Sequence, residues 1–556
     1  MKKRLHHFFG GLRLQGHKSI SMAEPILPAT IPDEIVLPLR QHIGKAAEPV
    51  VHVGDHVLKG QQVAKATEYV SAPVHASTSG VISAIESRPI PHPSGLSDTC
   101  IVIKPDGKDE WVPLKPVDDY SQLDPSALRN IIRDAGIVGL GGAGFPSFIK
   151  LNPGPDRQVE TLILNGAECE PYITCDAMLM QEQPRRIIEG LLIMRHALKA
   201  KQCIIAIEDT NKIDLTLLKN SLLEHESDFI QIVQIPTLYP TGGEKQLIKV
   251  LTGKEIPQHK LPIDTGVVCH NVATAIAILD VVAKGKPLVE RIVTLTGKTI
   301  GAPRNFKVAI GTPFSHMLKL AQWNKDLTGQ VIMGGPMMGF EVKSPDVPII
   351  KTTNCILTLP QKKPVAVMPC IRCGQCATVC PAHLLPQQLY WQARAKDFDR
   401  VQDYNLFDCI ECGCCAFVCP SQIPLVQYYR FAKTEIWALE RDKQKSDMAR
   451  ERHEFREFRL ERKKKEDEER KLRKKAMLKK TQDKNVSQTD AKQAAINAAV
   501  ERVKAKRENQ SHTQKNTTNL TENQKEAIAA VELRRQHLLE KSSGDTDTTP
   551  AKETGK

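Results

Sequence analysis

The chain has 556 residues, of which 41% are hydrophobic, 25% charged and 5% aromatic, with a formal net charge of +13. Domains usually hold about 100–200 residues, so a single small module is excluded. The charge is segregated: residues 1–430 carry 45 Lys+Arg against 41 Asp+Glu and residues 431–556 carry 32 against 23, which leaves the body without a basic footprint for nucleic acid.

The opening MKKRLHHFFGGLRL starts basic but lacks the apolar stretch of a secretory signal. That predicts a cytoplasmic chain, where thiols stay reduced and clustered cysteines act as metal ligands rather than disulfides. Within residues 1–115, the run VVHVGDHVLKGQQVAKA and then SAPVHASTSGVISAI alternate apolar and polar residues between glycine turns, the pattern of a small β barrel or sandwich. From 121 to 285, helical stretches alternate with apolar strands such as 161–165 and 203–207, which predicts an α/β domain. Residues 289–345 switch to short β segments around one amphipathic helical stretch, a small α+β unit. A cysteine-dense block lies within 363–430, and 431–556 is Lys/Arg/Glu-rich, predicting either a solvated helix with i,i+4 ion pairs or disorder. Deleting 431–556 is therefore expected to leave any cofactor in place. No apolar run reaches the roughly 20 residues of a membrane helix. The best, Val272 to Val282, contains Asp280, so no membrane span is expected.

Cys370, Cys373, Cys376 and Cys380, followed by Pro381, form C-x2-C-x2-C-x3-C-P, and Cys409, Cys412, Cys415 and Cys419, followed by Pro420, repeat it. Two such runs are the signature of a two-cluster ferredoxin, in which the fourth cysteine of each run ligates the other cluster. The expected ligand sets are Cys370, Cys373, Cys376 and Cys419 for one [4Fe–4S] and Cys409, Cys412, Cys415 and Cys380 for the second, with Cys414 left over. Zinc also takes four thiolates, but usually from two C-x2-C pairs. Ile371, Val379, Ile410 and Val418 are expected to shield the clusters. Cys100, Cys175, Cys203, Cys269 and Cys355 read as small buried apolar side chains.

GLGGAGF supplies G-x-G-x-x-G at Gly139, Gly141 and Gly144. A dinucleotide fingerprint follows a strand, whereas DPSALRNIIRDAGI before this loop has helical spacing, so the Rossmann reading of the loop fails. What remains is a loop whose bare amides could approach a phosphate or a flat ring, or a tight turn bringing helix onto sheet.

GLGGAGFPSFIK, LNGAECEP, TGGEKQLI and HNVAT occur in that order and resemble the flavin- and NADH-binding subunit family of respiratory complex I. The resemblance implies an FMN site at Gly139, Gly141, Gly142, Gly144, Lys150, Asn165 and Asn271, and a nicotinamide side at Phe145, Glu168, Glu170 and Glu244. Leu140, Ala167, Gly243 and His270 stand where that family has Arg, Asp, Glu and Asn. V-G-D-x-V-x-K-G-Q followed by S-G-V-I, from Val53 to Ile82, is similar to lipoyl-type barrel-sandwich hybrids. The loop TEYVSAPVHAS lacks their modifiable lysine, so a structural barrel is expected rather than a swinging arm.

The module order is a barrel-sandwich hybrid, a complex-I-like FMN/NADH α/β domain, a ligand-binding β-grasp (SLBB-like) domain, a two-[4Fe–4S] ferredoxin domain and a charged tail. Over about residues 1–430 it resembles the C-subunit family of Rnf/Rsx ion-translocating electron-transport complexes. That resemblance implies NADH as substrate, FMN and two clusters as carriers, and integral-membrane and flavin-carrying subunits as partners. It places the chain peripherally on the cytoplasmic side of the inner membrane. No catalytic acid or base is called for. A soluble reductase of the cobalamin-reductase kind and a flavin-free electron relay are the competing readings.

Overall fold

The structure, a computed structural model, describes residues 4–154, 156–209, 215–361, 363, 365–483, 492–508 and 522–542. It divides into two units, Met1–Arg441 and Asp442–Lys556.

The first strand, β1 (Leu27–Pro28), belongs to a distant sheet described below. Seven short strands then build the barrel-sandwich: β2 (Ile35–Pro38), β3 (Glu48–Pro49), β4 (His56–Val57), β5 (Gln62–Lys65), β6 (Val74–His75), β7 (Gly80–Pro89) and β8 (Ser97–Pro105). They form antiparallel sheets in the orders β2-β8-β7-β4 and β3-β5-β6. The alternating residues point Val57, Val63, Ile82, Ile101 and Ile103 into one core, which is what a period of two does on a pleated sheet. Residues 71–80, after the exposed Tyr69, are buried, so this stretch is packed in place as a structural element.

The next helix, α1 (Pro125–Asp134), starts at Asp124, whose carboxylate accepts from the Ser126 amide at 2.9 Å, with proline in the first turn, and buries Leu128 and Ile132. After the glycine loop come α2 (Ser147–Lys150), β9 (Thr161–Gly166), α3 (Cys175–Glu182), α4 (Pro184–Leu198), β10 (Gln202–Glu208), α5 (Leu215–Asn220), β11 (Ile230–Ile235), α6 (Glu244–Thr252), β12 (Val267–Asn271) and α7 (Val272–Lys284). The four strands are parallel in the order β11-β10-β9-β12. Counted from β9 that is 3-2-1-4, so the strand order reverses between β9 and β12, and ligands in such sheets bind outside the strands' carboxyl ends at that point. The strands are near-continuous Ile, Leu, Val and Ala because helices cover them.

The α+β unit uses β13 (Glu290–Gly297), β14 (Arg304–Ala309), α8 (Phe314–Leu320), β15 (Thr328–Met333), β16 (Phe340–Glu341) and β17 (Cys355–Pro360) in the order β1-β14-β13-β17-β15-β16. Its sheet therefore takes one strand from before the barrel and one from 355–360, beyond the 289–345 read from local pattern, because only pairing across the chain reveals them. The cysteine block carries α9 (Gln375–Thr378), α10 (Pro386–Ala395), α11 (Phe398–Asp403) and α12 (Cys414–Phe417), followed by α13 (Leu425–Asp483). Beyond it lie α14 (Lys492–Glu508) and α15 (Glu522–Ser542), whose described side chains are exposed.

The first residues do not join the barrel. His6 N bonds the Val250 carbonyl, Leu12 bridges Tyr239, the Gly11 amide reaches Val379 in the cysteine block, and the Gly16 carbonyl accepts from Tyr172. This segment is a strap across the α/β sheet and the cysteine module.

Helices α4 and α7 cross where a Cβ added at Gly190 would run into the Ala275 main chain. Overpacking of this kind costs about 1–3 kcal/mol. Gly190→Ala is expected to lower the unfolding midpoint accordingly, and an unchanged midpoint would show that the helices separate without cost.

Candidate functional site

The two cysteine runs have one backbone. Arg372 and Glu411 both have φ of 57°, and Gly374 and Gly413 both have φ of 79° immediately before the short helices α9 and α12. The left-handed glycine turns each loop back so that its cysteines face one point. One cavity is lined by Cys370, Cys373, Cys376 and Cys419, and the other by Cys380, Cys409, Cys412 and Cys415. The fourth cysteine of each run is thus brought to the other run's loop. Cys414 also borders the second cavity, and Tyr390, Ile423 and Leu425 close the first.

Burial pushes the Cys409 thiol up to about 11 and raises those of Cys380 and Cys415 in the second cavity and of Cys376 in the first, because a thiolate loses its hydration there, while a hydrogen bond from Cys414 lowers that of Cys412. Four converging sulfurs in such a place need cations to carry their charge, and this donor set fits a [4Fe–4S] cubane. Val379, Ile410 and Val418 are partly buried, as a shield requires. Ile371 is 68% exposed, contrary to the expected shielding, because its loop faces outward beside the exposed Cys373. The first cavity is the one nearer solvent.

Helix α13 belongs to this module at its start. Tyr429, Ala432 and Ile436 are buried in its core, the Tyr429 hydroxyl donates to the Pro386 carbonyl at 2.6 Å, and Lys433 Nζ donates to the Cys409 carbonyl at 2.7 Å and to Glu411 at 2.8 Å. These contacts carry the packed module past the boundary at 430 that charge-rich composition suggests.

At the α/β sheet, Asn165 near the end of β9 and Asn271 at the end of β12 are register partners. The glycine loop lies over them: a Cβ on Gly141 would sit 3.3 Å from the Asn271 Cβ, while Gly142, with φ of 108°, has open space before it. The Gly139 amide donates to the Phe145 carbonyl at 2.8 Å and holds the loop closed. Helix α7 begins at Asn271, whose side chain accepts from the Ala273 amide, so a helix N-terminus and the exposed Gly141 and Gly142 meet at the switch point. That is a cradle for a phosphate-bearing flat ligand, and it fits FMN. Lys150 Nζ donates to Glu244 Oε1 at 2.7 Å and to the Cys269 carbonyl at 2.8 Å, which brings together one residue expected on the flavin side and one on the nicotinamide side.

The other acids are held by the protein. Glu168 accepts from the Asp176 amide at 3.0 Å and the Ala177 amide at 3.3 Å, anchoring the start of α3. Glu170 accepts from the amides of Met337 (3.3 Å) and Met338 (2.6 Å) in the GGPMMG loop, and burial pushes its carboxyl up to about 7. Asn165 donates to the Gly242 carbonyl and Asn271 to Asp176, whose carboxyl is raised by burial and then by Glu168. Glu168 and Glu170 are thus each tied to two backbone amides, and Phe145 is half-buried beside the loop.

The substituted positions have local reasons. Leu140 is buried, its amide donating to Thr274 Oγ1 at 3.0 Å and its carbonyl accepting from the buried Arg291 at 3.3 Å. A Cβ on Gly242 would meet the Ala167 carbonyl, and Gly243 starts α6. His270 is buried, and desolvation followed by Lys150 drives its pKa far down, so it is neutral. Sequence reasoning missed Lys18, Asp176, Glu208, Tyr239 and Arg291. Only the run TLYPTGG around Tyr239 offered any local signal, and the rest are brought in by the strap and by strand order.

A parallel sheet with a glycine cradle at its switch point, joined to a paired four-cysteine module, defines an iron–sulfur flavoprotein of the electron-transfer class. Residues 132–280 match the family model of the Nuo51 FMN-binding domain, 6–108 that of the RnfC barrel sandwich hybrid domain, and 369–423 that of the 4Fe-4S dicluster domain. The chain is 47% identical to the C-subunit of the ion-translocating oxidoreductase complex of Serratia proteamaculans, over 91% of this chain and 70% of that protein. It is 49% identical to the same subunit of Edwardsiella ictaluri, covering 83% of this chain and 58% of the relative, and 46% identical to that of Vibrio cholerae, covering 91% and 65%. An NAD+-reducing [NiFe]-hydrogenase chain is similar at 18% identity and a TM-score of 0.42, covering 56% of this chain and 63% of that one. The chain belongs to the C-subunit family of ion-translocating oxidoreductase complexes, and it spans between 58% and 70% of the length of the Serratia, Edwardsiella and Vibrio relatives.

The crossed ligand sets predict which double variants fail. Cys373→Ala with Cys419→Ala empties one cavity and should leave about four irons per chain, whereas Cys373→Ala with Cys380→Ala, both from one run, should leave almost none. Equal iron in the two would overturn the crossing. Chain truncated after Arg441 should retain all its iron, while truncation after Arg430 should lower the iron content by removing Lys433 and Ile436.

Proposed function

We propose that this chain takes electrons from NADH at its flavin cradle and passes them singly through two [4Fe–4S] clusters to membrane and flavin-carrying subunits that translocate ions. In this reading the electron flow runs between NADH and a ferredoxin-type acceptor. The chain sits peripherally on the cytoplasmic face of the inner membrane; no helix among the described residues is long and apolar enough to cross a membrane.

The observation that carries it is a buried contact between the cysteine module and the α/β domain that holds the cradle. The Tyr239 hydroxyl, beyond β11 in the flavin sheet, donates to the Cys412 carbonyl at 2.6 Å. Around that bond, Leu12 and Leu14 of the strap, Cys169, Met337, Val379 and Ile410 pack into one apolar cluster with Tyr239, Cys412 and Cys414. Apolar packing thus joins the α/β sheet to the second cysteine cavity, and Glu170 bonds into the same Met337–Met338 turn.

When bound, FMN exchanges electrons in pairs with a nicotinamide and singly with a cluster. The amide-rich loop at Gly141–Gly142 and the α7 N-terminus would hold its phosphate and ring edge, with Lys150 and Glu244 bonded to each other beside β12. Cys370, Cys373, Cys376 and Cys419 would hold the outer cluster, and Cys380, Cys409, Cys412 and Cys415 the inner one. The inner set lies next to Tyr239, and the outer set, with Cys373 and Ile371 exposed, faces a partner. These residues bind, orient and exclude water, and none is placed to move a proton.

The test is anaerobic purification of the full chain, followed by iron, sulfide and flavin analysis and spectra with and without NADH. About eight irons, FMN and bleaching on NADH addition are expected. Eight irons with neither flavin nor bleaching would make the chain a relay fed by another protein.

A further inference from the structure

The carboxyl edge of the parallel sheet carries a second cavity, of about 490 Å³, at its other half. Its lining includes His17 and Lys18 of the strap, Cys169, Glu208, Thr237 and Tyr239, and none of the glycine loop, Lys150, Asn165 or Asn271. The volume falls in the roughly 300–1,000 Å³ range of small-molecule sites.

Glu208 is the chemical feature of this cavity. It is the last residue of β10 and is 1% exposed, and among the described residues neither of its carboxylate oxygens has a hydrogen-bond donor. The nearest cation, Lys18 Nζ, stands 4.0 Å away and donates instead to the main-chain carbonyl of Glu168. A buried carboxylate with unfilled acceptors is costly, and desolvation holds this one up to about 7. Fold stability gives no reason to keep it, since the neighbouring acids Glu168 and Glu170 have their backbone donors.

Topology says what would fill those acceptors. β9 and β10 are the first two strands of a parallel 3-2-1-4 sheet, and Glu208 ends the second. In sheets of this order an acid near the second strand takes the hydroxyls of a nucleotide ribose, because the strand end points into the crevice where the nucleotide lies. The glycine loop before β9 misleads in this respect, whereas the strand order does not. At the cavity, His17 is stacked on Tyr172, with ring centroids 4.6 Å apart and planes 17° apart, which offers a flat surface beside the acid.

We propose that this cavity binds the ribose of a nucleotide, with the two vicinal hydroxyls donating to the two oxygens of Glu208. If the proposed function holds, the nucleotide is NADH and the ribose is that of its adenosine half; the ribose contact itself does not require that function.

The experiment uses the full, cluster-loaded chain and measures binding of AMP and of 2′,3′-dideoxy-AMP by calorimetry, with the native protein and with Glu208→Gln. AMP should bind, and losing the diol should weaken it about tenfold or more, the effect of removing donors from a charged acceptor. Glu208→Gln should weaken AMP to a similar extent and leave the dideoxy compound unchanged, since the two changes remove one interaction. The glutamine is isosteric and removes a buried charge, and the dideoxy arm needs no variant, so misfolding cannot imitate the result. Failure of AMP to bind, or equal binding of the two nucleotides, overturns the proposal, as does an AMP affinity indifferent to Glu208→Gln. Diol-dependent AMP binding without NADH bleaching would remove NADH as donor and keep the ribose site. Bleaching with an unaltered KM for NADH in Glu208→Gln would keep the donor and overturn the placement of its ribose on Glu208.

Discussion

Thiolates taken out of water are costly unless cations balance them, and the cysteine module gathers its sulfurs in two sets of four under that constraint. Each cysteine loop is turned by a glycine at φ of 79°, and each cavity is completed by a cysteine from the opposite run. Crossing of this sort makes the two halves of the module interdependent. The helix that follows contributes Tyr429, Lys433 and Ile436 to the same core. The inner cavity lies against Tyr239, whose bond to the Cys412 carbonyl ties the cysteine module to the α/β sheet.

A second theme is the shortage of positive charge at the carboxyl edge of the parallel sheet. Glu168, Glu170, Asp176 and Glu208 all lie there, and burial raises the carboxyls of the last three. Lys18, carried in by the strap, lies 3.9 Å from Glu168 and 4.0 Å from Glu208, but its ammonium donates to the Glu168 carbonyl. Three of the four acids are satisfied by amides or an asparagine, which build the turn after β9, anchor α3 and join the α/β sheet to the Met337–Met338 loop. An acidic motif can thus be a framework for a site as much as a contact within it.

The substitutions at Leu140, Ala167, Gly243 and His270 follow the same logic. An arginine is absent from the glycine loop, yet Arg291 reaches the Leu140 carbonyl from beneath. Small residues at Ala167 and Gly242 let two backbone segments approach within contact. Polarity at the cradle therefore comes mainly from main-chain amides and a helix terminus, which no side-chain comparison can register.

Sequence by itself determined what is local. Fixed spacing made the eight cysteines that line the two cavities legible, alternation gave the barrel strands, apolar runs gave β9 and β10, and an Asp-Pro start gave α1, since each follows from neighbours a few residues apart. The glycine loop was also visible, and so was the preceding helix that distinguishes it from a dinucleotide fingerprint. Only the tertiary structure decided the 3-2-1-4 strand order, the pairing of β1 with β14, the path of the strap, the bond from Tyr239 to Cys412 and the seclusion of Glu208. Those depend on contacts between residues tens to hundreds of positions apart, and the energy of such contacts leaves no periodic trace in the chain that makes them.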